Sequence, residues 1–98
     1  MANKETFKAK GTITDLGKMV QIERKNRNIP DLFKKVLTVE MDDGQVFYPE
    51  VRNQRLRNLD QQYLEVGCRA EIEFIFQGSE KNGKRYNNIY ITSITRIS

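Results

Sequence analysis

The last third of the chain carries the strongest structural signal, which is two β-type segments joined by a tight-turn sequence. Apolar and polar residues alternate from Cys68 to Gln77, the period of a half-buried strand. Asn82 and Gly83 follow, and both tolerate the positive φ that a two-residue hairpin turn requires. A second strand is predicted from Tyr86 to Ile97. The chain is therefore expected to contain a long antiparallel hairpin.

The two strands of this hairpin differ in how regularly their apolar residues alternate. The first should place one set on the core, namely Cys68, Ala70, Ile72, Phe74 and Phe76. In the second, Ile89 and Ile91 share one parity, whereas Ile94 has the other. A β-bulge shifts the parity of a strand by one residue. We therefore predict a bulge near Thr92 or Ser93.

Three more strands are predicted upstream of the hairpin. They cover Thr6–Thr14, which Met19–Ile22 continues after a bulge, then Phe33–Met41 and Gln45–Val51. Gly11 indicates a bend or a close backbone approach in the first of them. Asp43-Gly44 predicts a hairpin turn between the second and third, and Pro49 should lie at an edge or bulge.

A short helix is predicted from Gln54 to Gln62, between the third and fourth strands. Leu56, Leu59 and Tyr63 follow one another at a spacing of three and four residues, which fits helical turns. Asn53 precedes them and can cap the helix by accepting a backbone N–H.

The order of these elements indicates an all-β domain. Five strands with a helix between strands three and four are typical of the OB-fold, a partly open five-stranded barrel. The length of 98 residues suits one such domain over residues 1–98, with residues 1–4 expected to be flexible. An SH3-like barrel is the alternative, although it does not ordinarily place a helix at that position.

The positive charge of the chain is concentrated in one window. Residues 18–35 hold six cations against Glu23 and Asp31, which equals the whole net charge of +4. The six are Lys18, Arg24, Lys25, Arg27, Lys34 and Lys35. In an OB-fold, the loops between strands one and two and between strands four and five flank the oligonucleotide-binding face. Here these loops are residues 17–32 and 78–85, and both are basic, so we predict an interface for nucleic-acid phosphates.

Several side chains join these cations as candidate nucleic-acid ligands. Lys81, Lys84 and Arg85 lie near the hairpin turn, whereas Phe33, Tyr48, Tyr86 and Tyr90 offer rings on which bases could stack. The two tyrosines of the last strand have the parity opposite to its core isoleucines, which favours exposure.

Some assignments stay open at this point. Phe33 fits a core role as well as a stacking role, and Lys34 and Lys35 point to opposite faces, so one of them at most should bind. Arg52, Arg55 and Arg57 fit solubility or an oligomer contact as well as nucleic-acid binding.

Composition argues against enzymes of the common kinds. The chain has no histidine and only one cysteine, Cys68, so the usual zinc sites and histidine-based triads are not available. Asp42 and Asp43 fit turn chemistry better than catalysis. We predict no cofactor, no metal and no catalytic residue. No apolar run is long enough to cross a bilayer and the N-terminus has no apolar signal region, so a cytoplasmic protein is expected.

The sequence resembles the short bacterial OB-fold single-stranded DNA-binding proteins, including a compact branch labelled only as a domain of unknown function. Three segments carry the resemblance: Phe33-Lys34-Lys35, Leu64-Glu65-Val66-Gly67, and Asn82 to Ile89. The resemblance implies largely sequence-independent binding of single-stranded DNA in replication, repair or recombination. It also implies a homo-oligomer, a dimer or tetramer, and replication proteins as further partners. An RNA-binding domain and a protein-interaction module of a replication or restart assembly are the open alternatives.

Overall fold

The structure, a computed structural model, describes residues 5–23, 28, 32–53, 55–57 and 63–98. The described residues form eight strands, with one helical turn at 55–57. The strands are β1 (Phe7–Asp15), β2 (Val20–Ile22), β3 (Leu32–Val36), β4 (Thr38–Met41), β5 (Val46–Phe47), β6 (Glu50–Arg52), β7 (Arg69–Lys81) and β8 (Lys84–Arg96). The predicted all-β class is confirmed.

The eight strands correspond to the five predicted ones, because each of the first three is interrupted once. Residues 16–19 separate β1 from β2, Leu37 separates β3 from β4, and Tyr48 and Pro49 separate β5 from β6. Proline has no N–H to donate to a sheet, which accounts for the last interruption. Its carbonyl accepts the N–H of Leu37 at 2.9 Å, so two of the interruptions lie against each other.

Strand pairing runs around a ring. β1 pairs with β4 and β7, β7 pairs with β8, and β3 pairs with β2 and β6, all antiparallel. The ring is completed by β6 and β8, which meet in a single parallel bridge between Glu50 and Tyr90. The five-strand equivalent is the partly open barrel of an OB-fold. Its narrowest join is this one bridge.

The β7–β8 hairpin extends well beyond the barrel. Both strands have 13 residues, and only Asn82 and Gly83 separate them, with φ of 53° and 77°. The predicted turn is confirmed. The predicted loop over residues 78–85 is wrong, because β7 continues to Lys81 and β8 resumes at Lys84. Residues 77–87 are all exposed, and we call them the arm.

The bulge predicted in the last strand is confirmed. Glu73 pairs with Ser93 and Phe74 pairs with Ile91, so Thr92 is the extra residue of β8. Its hydroxyl donates to the carbonyl of Glu73 at 3.2 Å. The bulge explains how isoleucines of both parities reach the core.

The core lies inside the barrel. Its fully buried members with no exposed surface are Ile13, Leu37, Val39, Val51, Ala70 and Ile72. Cys68, Ala70, Ile72 and Phe74 are buried as predicted. Phe76 was predicted to join them, but 54% of it is exposed. β1 begins at Phe7 opposite Phe74, so Phe76 lies beyond the barrel rim, where it packs edge-on against Phe7.

Gly11 makes the close backbone approach that the sequence predicts. A β-carbon at this position would lie 2.6 Å from the carbonyl oxygen of Glu40 on the neighbouring strand β4. The absence of a side chain therefore allows β1 and β4 to approach each other at this position.

The predicted helix is only partly tested. Residues 54 and 58–62 lie outside the described residues, and 55–57 are helical with Leu56 buried. Tyr63, the last of the three residues at helical spacing, is 81% exposed. The backbone carbonyl of Asn53 accepts the N–H of Leu56 at 3.0 Å, whereas its side-chain amide oxygen accepts the N–H of Phe33 at 3.1 Å. That bond ties the start of the helical turn to β3.

The acidic pair at the β4–β5 turn has structural roles, as predicted. Asp43 Oδ1 accepts the N–H of Gln45 at 2.9 Å, and Gly44 has a φ of 90°. Asp42 receives two hydrogen bonds from the Arg69 guanidinium, at 2.8 and 3.1 Å. These bonds and the guanidinium charge lower the pKa of Asp42 below its ordinary value of 3.8.

We expect Asp42→Asn to reduce stability only where Asp42 is ionised. A carboxylate whose pKa is lower in the folded state stabilises the fold above its unfolded pKa, and this stabilisation is lost as pH falls through the folded pKa. Thermal unfolding of both proteins should thus show a steady difference from about pH 7 to about pH 5. The difference should shrink below the ordinary pKa of 3.8 and be lost as pH falls through the lower pKa of the folded state. A difference that persists in acid would assign the effect to packing instead of charge.

Candidate nucleic-acid interface

One side of the barrel gathers cations and rings from three strands. The register places Lys34 of β3 opposite Arg52 of β6, and Glu50 of β6 opposite Tyr90 of β8. Neighbours of opposite parity, such as Val51 and Ile91, are buried in the core. The side chains of the four residues with the other parity, Lys34, Glu50, Arg52 and Tyr90, therefore project from the outside of the barrel. We call this surface of β3, β6 and β8 the outer face.

The four residues at the middle of the outer face contact one another, and we call them the central cluster. The Arg52 guanidinium lies 4.2 Å from the centre of the Tyr90 ring, within the range of a cation–π interaction. Lys34 Nζ and Arg52 Nε each lie 3.2 Å from Glu50 Oε1. Arg52 Nη2 also donates to Glu50 Oε2 at 3.4 Å. Both cations thus share one carboxylate.

A groove of about 460 Å³ opens beside the central cluster. Its lining includes Lys34, Val36, Tyr48, Glu50 and Asn88. Tyr48, one of the candidate rings, is 62% exposed, whereas its neighbour Phe47 packs against the core. The groove offers an exposed ring, amides and the Lys34 ammonium, which are groups that can stack on the bases and contact the phosphates of a single-stranded nucleic acid.

The arm extends the outer face toward the turn. Lys81 pairs with Lys84, and Ser79 pairs with Tyr86, which is 48% exposed. These residues have the same parity as Tyr90. The Asn88 amide donates to Ser79 Oγ at 3.0 Å and to the carbonyl of Gln77 at 3.2 Å, which braces the base of the arm.

The predicted site residues do not all lie on one surface. Lys84, Tyr86 and Tyr90 share the outer parity of β8, whereas Arg85 pairs with Glu80 on the reverse side of the arm. Tyr90 is half-buried beneath Arg52.

The basic window of the first loop is only partly described. Lys18 is exposed between β1 and β2, but Arg24, Lys25 and Arg27 lie outside the described residues. Lys34 is on the outer face, whereas Lys35 is half-buried opposite Val51 on the other face, together with the 39% exposed Phe33. Lys34 and Lys35 thus lie on opposite faces, as their adjacent positions in a strand predict.

Two central residues were not predicted as ligands. Glu50 is not among the candidate ligands, and Arg52 fits solubility or an oligomer contact as well as binding. Their alternating positions in β6 put opposite charges on one face, which is a readable signal. Their meeting with Tyr90 depends on the parallel bridge that closes the barrel, and nothing local in the sequence encodes that bridge.

Within the described ranges, no three histidine, cysteine or acidic side chains come together as a metal site. Among the same residues, no helix has the length and apolar character needed to cross a bilayer.

Comparison with known proteins identifies the class of fold. No protein-family model and no curated protein matches the sequence. Solved structures do match over nearly the whole chain, and they are structures of single-stranded DNA-binding and PriB proteins. The predicted resemblance to OB-fold single-stranded DNA-binding proteins is thereby confirmed at the level of the fold.

Three of these structures show the extent of the likeness. The mitochondrial single-stranded DNA-binding protein Rim1 of S. cerevisiae superposes with a TM-score of 0.62 at 12% identity, covering 97% of each chain. The dimeric N-terminal domain of PriB from Thermoanaerobacter tencongensis gives 0.54 at 18%, covering 95% of this chain and 96% of that one. The Plasmodium falciparum single-stranded DNA-binding protein in complex with DNA gives 0.53 at 12%, covering all of both chains.

Proposed function

We propose that this protein binds single-stranded DNA without catalysis and largely without sequence preference. The observation that carries the proposal is the continuity of the outer face. This face joins three features on one surface of the barrel. They are the central cluster with Lys34, Arg52 and Tyr90, the groove beside Tyr48, and the side of the arm that carries Lys81, Lys84 and Tyr86. The proposal is supported by the fold, since a protein of this fold is known in complex with single-stranded DNA.

The proposed mechanism combines phosphate contact with base stacking. Lysines on the arm and in the first loop neutralise phosphates and release counterions, which favours association at low salt. Bases stack on Tyr48 and Tyr86, the two exposed rings of this surface. Stacking is tolerant of sequence because every base has an aromatic face. The unpaired strand is bound through its bases, so a duplex, whose bases are already stacked, should compete poorly.

The wider setting is proposed on the same basis. One small barrel covers only about 4 to 16 nucleotides, so a homo-oligomer would gain affinity by binding one strand at several sites. The dimeric PriB domain supports an oligomer of this fold. As the resemblance to bacterial proteins implies, we place the protein in the cytoplasm, where it protects DNA strands exposed by replication, repair or recombination and contacts replication proteins.

Binding of a labelled oligothymidine, followed by fluorescence anisotropy over a salt series, tests the proposal. We expect binding at about 50 mM salt that weakens steeply toward about 200 mM, because each phosphate contact releases counterions. Oligothymidine should outcompete duplex DNA of equal length. If the protein does not bind oligothymidine at the lowest salt, the proposal is wrong and a protein-interaction module is favoured. If RNA of equal length competes better than DNA, an RNA-binding domain is favoured.

A further inference from the structure

The central cluster contains an acidic residue where a nucleic-acid interface should be positive. Glu50 has a side chain only 10% exposed, and it lies between the two cations at the middle of the outer face. A carboxylate in this position repels phosphates. Its presence there requires an explanation that the proposed function alone does not supply.

The distances show that Glu50 compensates much of the local positive charge. Its Oε1 lies 3.2 Å from both Lys34 Nζ and Arg52 Nε, and its Oε2 accepts from Arg52 Nη2. A phosphate that approaches either cation therefore approaches the carboxylate as well. The three side chains carry one net positive charge instead of two.

The contacts at Oε1 are electrostatic more than directional. Neither cation meets this oxygen with hydrogen-bond geometry, although both are at ion-pair distance. The two cations are themselves largely shielded, with side chains 27% and 37% exposed. Arg52 is also held over the ring of Tyr90. The cluster is thus arranged as a platform for a base, and its charges are already engaged.

We propose that Glu50 attenuates phosphate binding at the centre of the interface, so that phosphates are held at the periphery and the central cluster contacts bases. This inference rests on the proposed function. The attenuation keeps the complex dependent on stacking and lets a bound strand exchange more readily. Arg52 then acts as a positioning and stacking group, and Lys34 contributes little to the salt dependence while Glu50 is charged.

The matched variants Glu50→Gln and Glu71→Gln test this inference in the full chain. Each removes one negative charge, but Glu71 pairs with Lys10 at 3.8 Å on the exposed surface of β1 and β7, away from the central cluster. For single strands, the slope of log affinity against log salt changes by about 0.7 per phosphate contact. With labelled oligothymidine we expect the slope of Glu50→Gln to steepen by about 0.7 to 1.4. Glu71→Gln should leave it unchanged.

The same experiment predicts how the affinities change. If both cations become available, the advantage of Glu50→Gln over wild type should grow about sevenfold as salt falls from about 200 to about 50 mM. Weaker binding by Glu50→Gln, or an unchanged slope, would overturn the inference. An equal gain in affinity for Glu50→Gln and Glu71→Gln would also overturn it, because it would show that only the net charge of the protein matters. A wild-type protein that does not bind at all would instead overturn the proposed function.

Lys34→Met supplies a test that does not require Glu50→Gln to fold. In the wild-type background, Lys34 is compensated, so its removal should lower the slope by much less than about 0.7. In the Glu50→Gln background, the same change should lower it by about 0.7. If Lys34→Met lowered the slope by the full value of about 0.7 in the wild-type background, Lys34 would already bind a phosphate. That result would overturn the inference that Glu50 attenuates phosphate binding. Thermal unfolding of each variant checks that the barrel is intact.

Discussion

Gly17→Ala is expected to lower the free energy of unfolding by about 2 to 5 kcal/mol, a large part of the stability of a domain this size. Gly17 has a φ of +69°, and an added β-carbon would lie 2.2 Å from the carbonyl oxygen of Val36. Left-handed strain and a backbone clash therefore add at one position. Denaturant titration followed by circular dichroism measures the loss.

Gly67→Ala is the matched control for this prediction. Gly67 also has a positive φ, +97°, but a β-carbon there would meet no atom within 4 Å. It should therefore cost only the backbone strain, about 1 to 3 kcal/mol. Equal losses in the two variants would show that the first loop can move away from β3 without cost, and that Gly17 is retained for its conformation alone.

The double variant Tyr48→Ala/Tyr86→Ala is expected to weaken binding of oligothymidine by at least about 30-fold. Each base–ring stack contributes about 1 to 3 kcal/mol, and about 1.4 kcal/mol is a tenfold change in affinity. Both rings are exposed, at 62% and 48%, so the thermal midpoint should change little. Anisotropy titrations and thermal scans on the same preparations provide both measurements.

Tyr63→Ala provides the control for an exposed tyrosine of the same chemistry. Tyr63 is 81% exposed, and its carbonyl accepts a hydrogen bond from Arg96, at the end of β8 remote from the arm. Its removal should leave binding unchanged. If the double variant and Tyr63→Ala bind alike, or if the double variant unfolds, the assignment of Tyr48 and Tyr86 to the binding surface is wrong.

Much of the fold could be predicted because its signals are local. Asn82-Gly83 specifies a two-residue turn, and the change of parity between Ile91 and Ile94 specifies the bulge at Thr92. Alternation correctly places Ala70, Ile72 and Phe74 of β7 in the core. These features depend on neighbours in sequence, which is what a single sequence displays.

The sequence misleads for residues whose environment is set by segments distant in the chain. Phe76 continues the apolar alternation of β7, but β1 begins only opposite Phe74, so Phe76 lies beyond the paired part of β1, meets it only at the Phe7 ring and stays 54% exposed. Asn53 has the chemistry of a helix cap, yet the nearby N–H of Phe33 on β3 takes its side chain. In both cases the length or position of a partner strand, which the residue itself does not encode, overrides its local preference.

The types of residue in the candidate site could be predicted from the sequence better than their arrangement in space. Lysines near the turn and tyrosines of outward parity could be read from the sequence. Arg85 could not be separated from Lys84 without knowing that the arm is a regular hairpin, in which adjacent residues lie on opposite faces. The central cluster could not be assembled at all, because it forms across the junction of β6 and β8.

That junction has a mechanical consequence. The barrel is held shut at this seam by one parallel bridge, between Glu50 and Tyr90, and the Arg52 guanidinium spans it from outside. A DNA strand bound over Arg52 and Tyr90 would contact both β6 and β8. It would therefore also hold these two strands together where the barrel has the fewest paired residues among those described.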